Sequence, residues 1–250
     1  MANEEHVKII KQGATVWNQW RKENLETIPN LGWANISHTN LSGVNLNGAN
    51  LSHADLSHTD LSKADLSNAK LGWANISHAN LREANLSKAD LSWVNFSNSN
   101  LREANLSNSD LGSSSLSKAT LNGAIITRAN LREANLSGAN ISNADLSWTK
   151  LSGVDLTKAN LSGTNCEGAA LCLTIFAGAN LKNATGLDKC WYNGPCIIDD
   201  GALLQSGPLP AEFLRCCTQQ CLSEEAQRPK NPESLRLPPW KQETLDRPIF

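Results

Sequence analysis

From Leu31 to Leu181 an apolar residue stands at every fifth position, without one insertion or deletion. Nearly all are Leu; Ile36, Ile76, Phe96, Ile126, Ile141, Cys166 and Phe176 are the variants. Two residues before each, from Ile36 on, comes Ala, or else Ser, Thr or Val. Asn or Asp separates the two in most repeats, and Ser usually follows the Leu, so the unit reads A-(N/D)-L-S-x. A period of five matches neither the 3.6 of an α-helix nor the 2 of an ordinary strand. The Leu and the small residue before it share a side, as alternate residues do in extended chain. The remaining polar residues then turn the chain. Four such turns close a square coil of twenty residues, which accounts for the echo of LREANLS at 81–87 and 101–107; the phrase returns at 131–137.

Stacked coils bond to each other at the usual strand spacing of about 4.8 Å. Asn and Asp suit the turns because their side chains bond neighbouring backbone. Four Leu meeting on a narrow axis leave space beside them only for small residues. A single coil cannot offset the entropy of ordering its own backbone, so stability requires an array. The expected fold is an all-β solenoid of about seven to eight coils over residues 31–185.

These repeats resemble the pentapeptide-repeat proteins, and the resemblance implies a right-handed quadrilateral β-helix. The flanks HVKIIKQGATVWNQWR (6–21) and GLDKCWYNGPCIIDDGALLQSGPLPAEFLRCC (186–217) are similar to segments of cyanobacterial-type members. In those relatives a TIR-like domain often follows the second flank. Here LSEEAQRPKNPESLRLPPWKQETLDRPIF follows Cys221 instead, so TIR-linked activity is not expected, and the chain reads as a remnant or regulator at most. The resemblance also brings in DNA gyrase binding by imitation of DNA, which implies an acidic rod. Residues 31–185 carry eleven Lys and Arg against eleven Asp and Glu, which speaks against it.

A stack of coils exposes a β edge at each end unless something covers it. Residues 1–24 read as an amphipathic helix capping the N-terminal end. Val7, Ile10, Ala14, Trp17 and Trp20 fall near one face over 4–22, and Asn3 is placed to cap the start. Residues 25–30 read as a linker and 186–222 as a C-terminal helical cap, with helices expected at Ile197–Gln205 and Ala211–Gln220. Residues 223–250 carry five prolines and read as a disordered tail. Leu173 and Ile175 put apolar side chains where other repeats are polar. They form a patch that suits either the C-terminal helices or a dimer contact.

The formal charge of −2 gives no reason to expect nucleic acid or an anionic membrane as partner. No apolar run is long enough to span a bilayer, and MANEEHVKII lacks the layout of a signal peptide, so the chain is expected in the cytoplasm. Seven cysteines, an odd number, then read as reduced thiols. Cys190, Cys196, Cys217 and Cys221 lack the spacing of a zinc knuckle, and neither metal nor cofactor is expected.

Positions twenty apart share a column. Trp33, His53, Trp73 and Trp93 form an aromatic column two residues after the central Leu; His38, His58 and His78 form a second. Exposed Trp is enriched at binding hot spots, so the first column is the candidate partner-binding face. Duplication offers another origin, because LGWANISH occurs at 31–38 and 71–78 and copying would carry Trp and His together. No nucleophile–base pair and no phosphate-cradling glycine loop stands out, and a rod filled with Leu has no active-site cavity. The expected function is a non-catalytic scaffold for a protein partner, with monomer and end-to-end dimer both open.

Overall fold

The computed structural model describes residues 1–217. The expected disordered tail lies outside them. Residues 30–185 form a four-sided parallel coil. Isolated parallel bridges join each residue at a multiple of five to the one twenty positions later, from Asn30↔Asn50 through Asn100↔Thr120 to Asn165↔Thr185.

One repeat, 101–105, shows how the pentad accounts for every backbone N–H. Leu101 donates to the Thr120 carbonyl at 2.7 Å and Glu103 to the Asn122 carbonyl at 3.2 Å, both on the following coil. Asn105 donates to Ala84 on the preceding coil at 2.9 Å, and Ala104 closes the turn onto Leu101 at 3.1 Å. That leaves Arg102, whose N–H is taken by the Asn100 side chain at 3.2 Å. The recurrent Asn or Asp therefore accepts the one N–H per repeat that no carbonyl reaches. Its amide does a second job: Asn75 Nδ2 donates to Asp55, Asn80 to Asp60 and Asn100 to Asn80, each on the preceding coil.

In each turn the second residue after the Leu has positive φ while the first does not, which with the closing hydrogen bond makes the turn type II. The Leu side chains are buried along the whole axis, as are the small residues beside them except the half-buried Thr39 near the N-terminal end. Ser and Thr are tolerated at the small position because the hydroxyl has a local acceptor. Ser99 donates to the Phe96 carbonyl at 2.7 Å, Ser109 to Leu106 at 2.7 Å and Thr149 to Leu146 at 2.6 Å.

The N-terminal segment is two helices, not the single one expected. Helix α1 spans Glu4–Ile10, with Asn3 Oδ1 accepting the Glu5 and His6 N–H groups; α2 spans Ala14–Glu23. Gly13, at φ +101, makes the break between them. Together they lie on the first coil and satisfy its open edge. Trp17 Nε1 donates to the Asn45 carbonyl at 2.7 Å, and Asn18 accepts the Asn45 N–H at 2.7 Å while donating to Gly43 at 2.9 Å. Asn30 N–H is accepted by His6 Nδ1 at 3.0 Å.

At the other end the chain makes one irregular coil before turning helical. Strand β1 (Ala170–Leu171) pairs with β2 (Trp191–Tyr192), and Ile175 with Ile197, so the offset slips from twenty to twenty-one and then twenty-two. Ile197 is thus extended, and α3 begins only at Asp200, where Asp199 accepts the Ala202 N–H at 2.8 Å; it ends at Ser206. Helix α4 spans Ala211–Cys217. The rest of the second expected helix lies beyond the described residues. Phe213 of α4 sits edge-on to Phe176 with ring centroids 5.3 Å apart, closing the core. Two polar side chains finish the edge: Asp199 accepts the Gly178 N–H at 2.8 Å and Ser206 the Leu181 N–H at 2.9 Å. Among the described residues no helix is long and apolar enough to cross a membrane.

Candidate functional site

The position two after the Leu is the left-handed residue of each turn, and there the side chain leaves the core. Trp33, His53, Trp73 and Trp93 occupy it with φ of 68°, 59°, 65° and 60°. The coil rise sets one ring above the next. Trp33 and His53 stack with centroids 4.0 Å apart, His53 and Trp73 at 6.2 Å, and Trp73 and Trp93 at 4.8 Å, all within 10° of parallel. The three indoles stay 65%, 56% and 52% exposed. That is a large apolar area left in water in one line, on a surface otherwise rich in Ser, Asn and Gly.

His38, His58 and His78 form the second column, on an adjoining side. Their rings stack at 4.7 and 4.8 Å within 6° of parallel. Near them lies Asp55. Burial would raise its carboxyl, but hydrogen bonds from the Ser57 hydroxyl and N–H and from Asn75, with the charge of His38, hold it below 3.8. Among the described residues no group of three His, Cys, Asp or Glu could hold a metal ion.

Leu173 and Ile175 part company. An extended segment, not a helix, pairs with Ile175, while Leu173 remains 58% exposed. The cysteines that are far apart in sequence gather at this end. Cys190 donates its thiol to the Cys166 carbonyl at 3.2 Å, and Cys216 donates to Gly194 at 3.3 Å. Burial pushes Cys166 up to about 12 and Cys196 up to about 11, so both are neutral thiols at neutral pH. On the coil face, Arg82 bridges Glu83 at 2.8 Å and Glu103 at 3.4 Å. Such exposed pairs contribute only about 0–1 kcal/mol.

Sequence reasoning missed Trp148, a half-buried indole in another column. It lies flat over Gly168, where a Cβ would stand 2.7 Å from Trp148 Cδ2 and Cε3. The signal was present: a glycine one coil beyond a tryptophan.

A model of the family described as pentapeptide repeats matches in eight copies, over residues 30–68, 64–102, 74–112, 114–153 and 149–185. Solved structures similar to this chain include HetL, a pentapeptide repeat protein involved in heterocyst differentiation regulation in Nostoc sp. strain PCC 7120. It is 27% identical over 74% of this chain and 97% of that one, with a TM-score of 0.34. A thylakoid-lumen pentapeptide repeat protein of Arabidopsis thaliana is 32% identical over 40% of this chain and 69% of its own, with a TM-score of 0.39. Full-length QnrB1, a plasmid-mediated fluoroquinolone resistance protein, is 19% identical over 75% of this chain and 99% of its own, also at 0.39. No curated protein matches.

Proposed function

The chain belongs to the pentapeptide-repeat family, whose members fold as right-handed quadrilateral β-helices, and we propose that it is a non-catalytic scaffold that docks a protein partner on its aromatic column. The observation that carries this reading is the line of three indoles at 65%, 56% and 52% exposure. Leaving them wet is unfavourable, and Trp is the residue most enriched where partners bind. Parallel stacking supports the same reading, because each ring limits the rotamers of the next and the face is preorganised before a partner arrives. The scaffold is a rod of seven to eight coils whose two ends are closed by α1–α2 and α3–α4. Closed ends disfavour end-to-end pairing and leave the sides as the binding surface.

Gyrase binding by imitation of DNA is the weaker reading. It asks for an acidic rod, and the repeats carry eleven basic and eleven acidic residues.

The test compares the intact chain with a variant carrying Trp33→Ser, Trp73→Ser and Trp93→Ser, matched for far-UV circular dichroism, as baits in native cytosol. The captured partner is then titrated against each. Hot-spot truncations cost about 2 kcal/mol or more each, so the triple variant should bind at least about 100-fold more weakly. Equal affinity for both would reject the face.

A further inference from the structure

Cys196 lies on the irregular last coil and Cys216 on α4, with nineteen residues between them in sequence. The structure sets them side by side. The Cys196 N–H donates to the Cys216 carbonyl at 3.3 Å. A direct backbone hydrogen bond keeps two Cα atoms within roughly the 4.4–6.8 Å that a disulfide spans. Both residues are buried, at 2% and 0% exposure, beside the Phe213–Phe176 contact that closes the core. Neither thiol has a task in the proposed docking face.

We propose that Cys196 and Cys216 are a redox-closable pair, whose disulfide fastens α4 onto the end of the solenoid when the protein meets a small-molecule disulfide such as oxidised glutathione. One cysteine attacks the reagent as its thiolate, forming a mixed disulfide and releasing one glutathione thiolate. The second cysteine, also deprotonated, attacks the protein sulfur of that mixed disulfide and releases the other. Two protein thiols are oxidised, one glutathione disulfide is reduced to two thiols, and the two protons the cysteines give up end on the two released glutathione sulfurs. Burial holds Cys196 as a thiol in the closed state and keeps Cys216 from the reagent, so the exchange runs through molecules in which α4 has lifted. The bond therefore records an opening event and then prevents the next one.

The experiment uses the full chain, incubated with oxidised glutathione, alkylated, digested without reductant and mapped by mass spectrometry. The expected main product joins the peptides of Cys196 and Cys216. Amide exchange in α4 should slow by about 100-fold, as expected for closing a loop of this length. Cys217→Ser should keep the linkage, and Cys216→Ser should abolish both linkage and protection. Glutathione adducts without the internal bond would overturn the proposal, as would a bond from Cys196 to Cys190, Cys217 or Cys221. The map of the unsubstituted chain decides the matter even if Cys216→Ser fails to fold.

Discussion

Replacing Gly168 with Ala isolates a close contact that the repeat pattern alone does not require. Gly168 has φ +69, and an added Cβ would meet the Trp148 ring at 2.7 Å. Two costs follow. An L-residue in the left-handed region costs about 1–2 kcal/mol. Displacing a packed ring adds about 1–3 kcal/mol. Gly153 provides the control: its φ is +72, but its Cβ would meet only Glu133, with Cγ at 3.5 Å and the backbone Cα and N at 3.8 Å, all ordinary contacts. Gly153→Ala should therefore destabilise by about 1–2 kcal/mol and Gly168→Ala by about 2–5 kcal/mol. The assay is urea unfolding followed by far-UV circular dichroism, comparing midpoints at unchanged m. Adding Trp148→Ser to Gly168→Ala should return the midpoint to that of Gly153→Ala. If the two alanine variants unfold together, the indole is not what demands glycine there, and the reasoning fails.

Trp17→Phe keeps the buried ring but strands the Asn45 carbonyl, which now accepts its N–H at 2.7 Å. It should cost about 1–3 kcal/mol, read as faster amide exchange over the first coil with α4 unchanged. Leu106→Ala opens a cavity on the axis and should cost about 2–5 kcal/mol by the same urea assay. Asp199 has its carboxyl lowered below 3.8, first by the Gly178 N–H and then by the Ala202 N–H. Because the folded value is depressed, its contribution is full above the unfolded carboxylate range and is lost as pH falls through the folded value. The difference in urea midpoint between the natural chain and Asp199→Ala should hold constant near neutrality and shrink in acid. A difference that grows in acid would reverse the sign and refute the assignment.

The period of five was enough to specify a four-sided coil with Leu inside, because every repeat obeys the same local rule and the rule is read thirty-one times. Asn and Asp were recognised as turn residues, but not as the acceptors of one orphan N–H per repeat or as links between coils; both need the hydrogen bonds of a neighbour to be seen. The left-handed position was also legible, since Gly recurs there at 43, 48, 123, 138, 153, 163, 168 and 178. It went unread because Trp, His, Lys and Glu fill the same place. The ends were harder, being unique. Gly13 splits the first helix although the apolar residues keep one helical face across it. Ile197 is drawn into the last coil by pairing with Ile175, which no local preference announces. The aromatic columns were found by counting aromatics in twenties, whereas Trp148 has no aromatic neighbour in its column and is marked only by the glycine at 168.

The bridge from each residue to the one twenty ahead turns sequence number into compass bearing. Twenty added residues lengthen the rod and leave every bearing intact; five rotate all that follows by a quarter turn. The copies of LREANLS at 81 and 101 thus look the same way, and the copy at 131 looks the opposite way. The LGWANISH blocks, forty apart, set Trp33 and Trp73 on one meridian. A duplication by a multiple of five that is not a multiple of twenty would have kept the fold and turned the copied indole off that meridian. In such a chain an insertion is harmless or re-aiming according to its remainder on division by twenty, and the line of tryptophans marks copying in whole circuits.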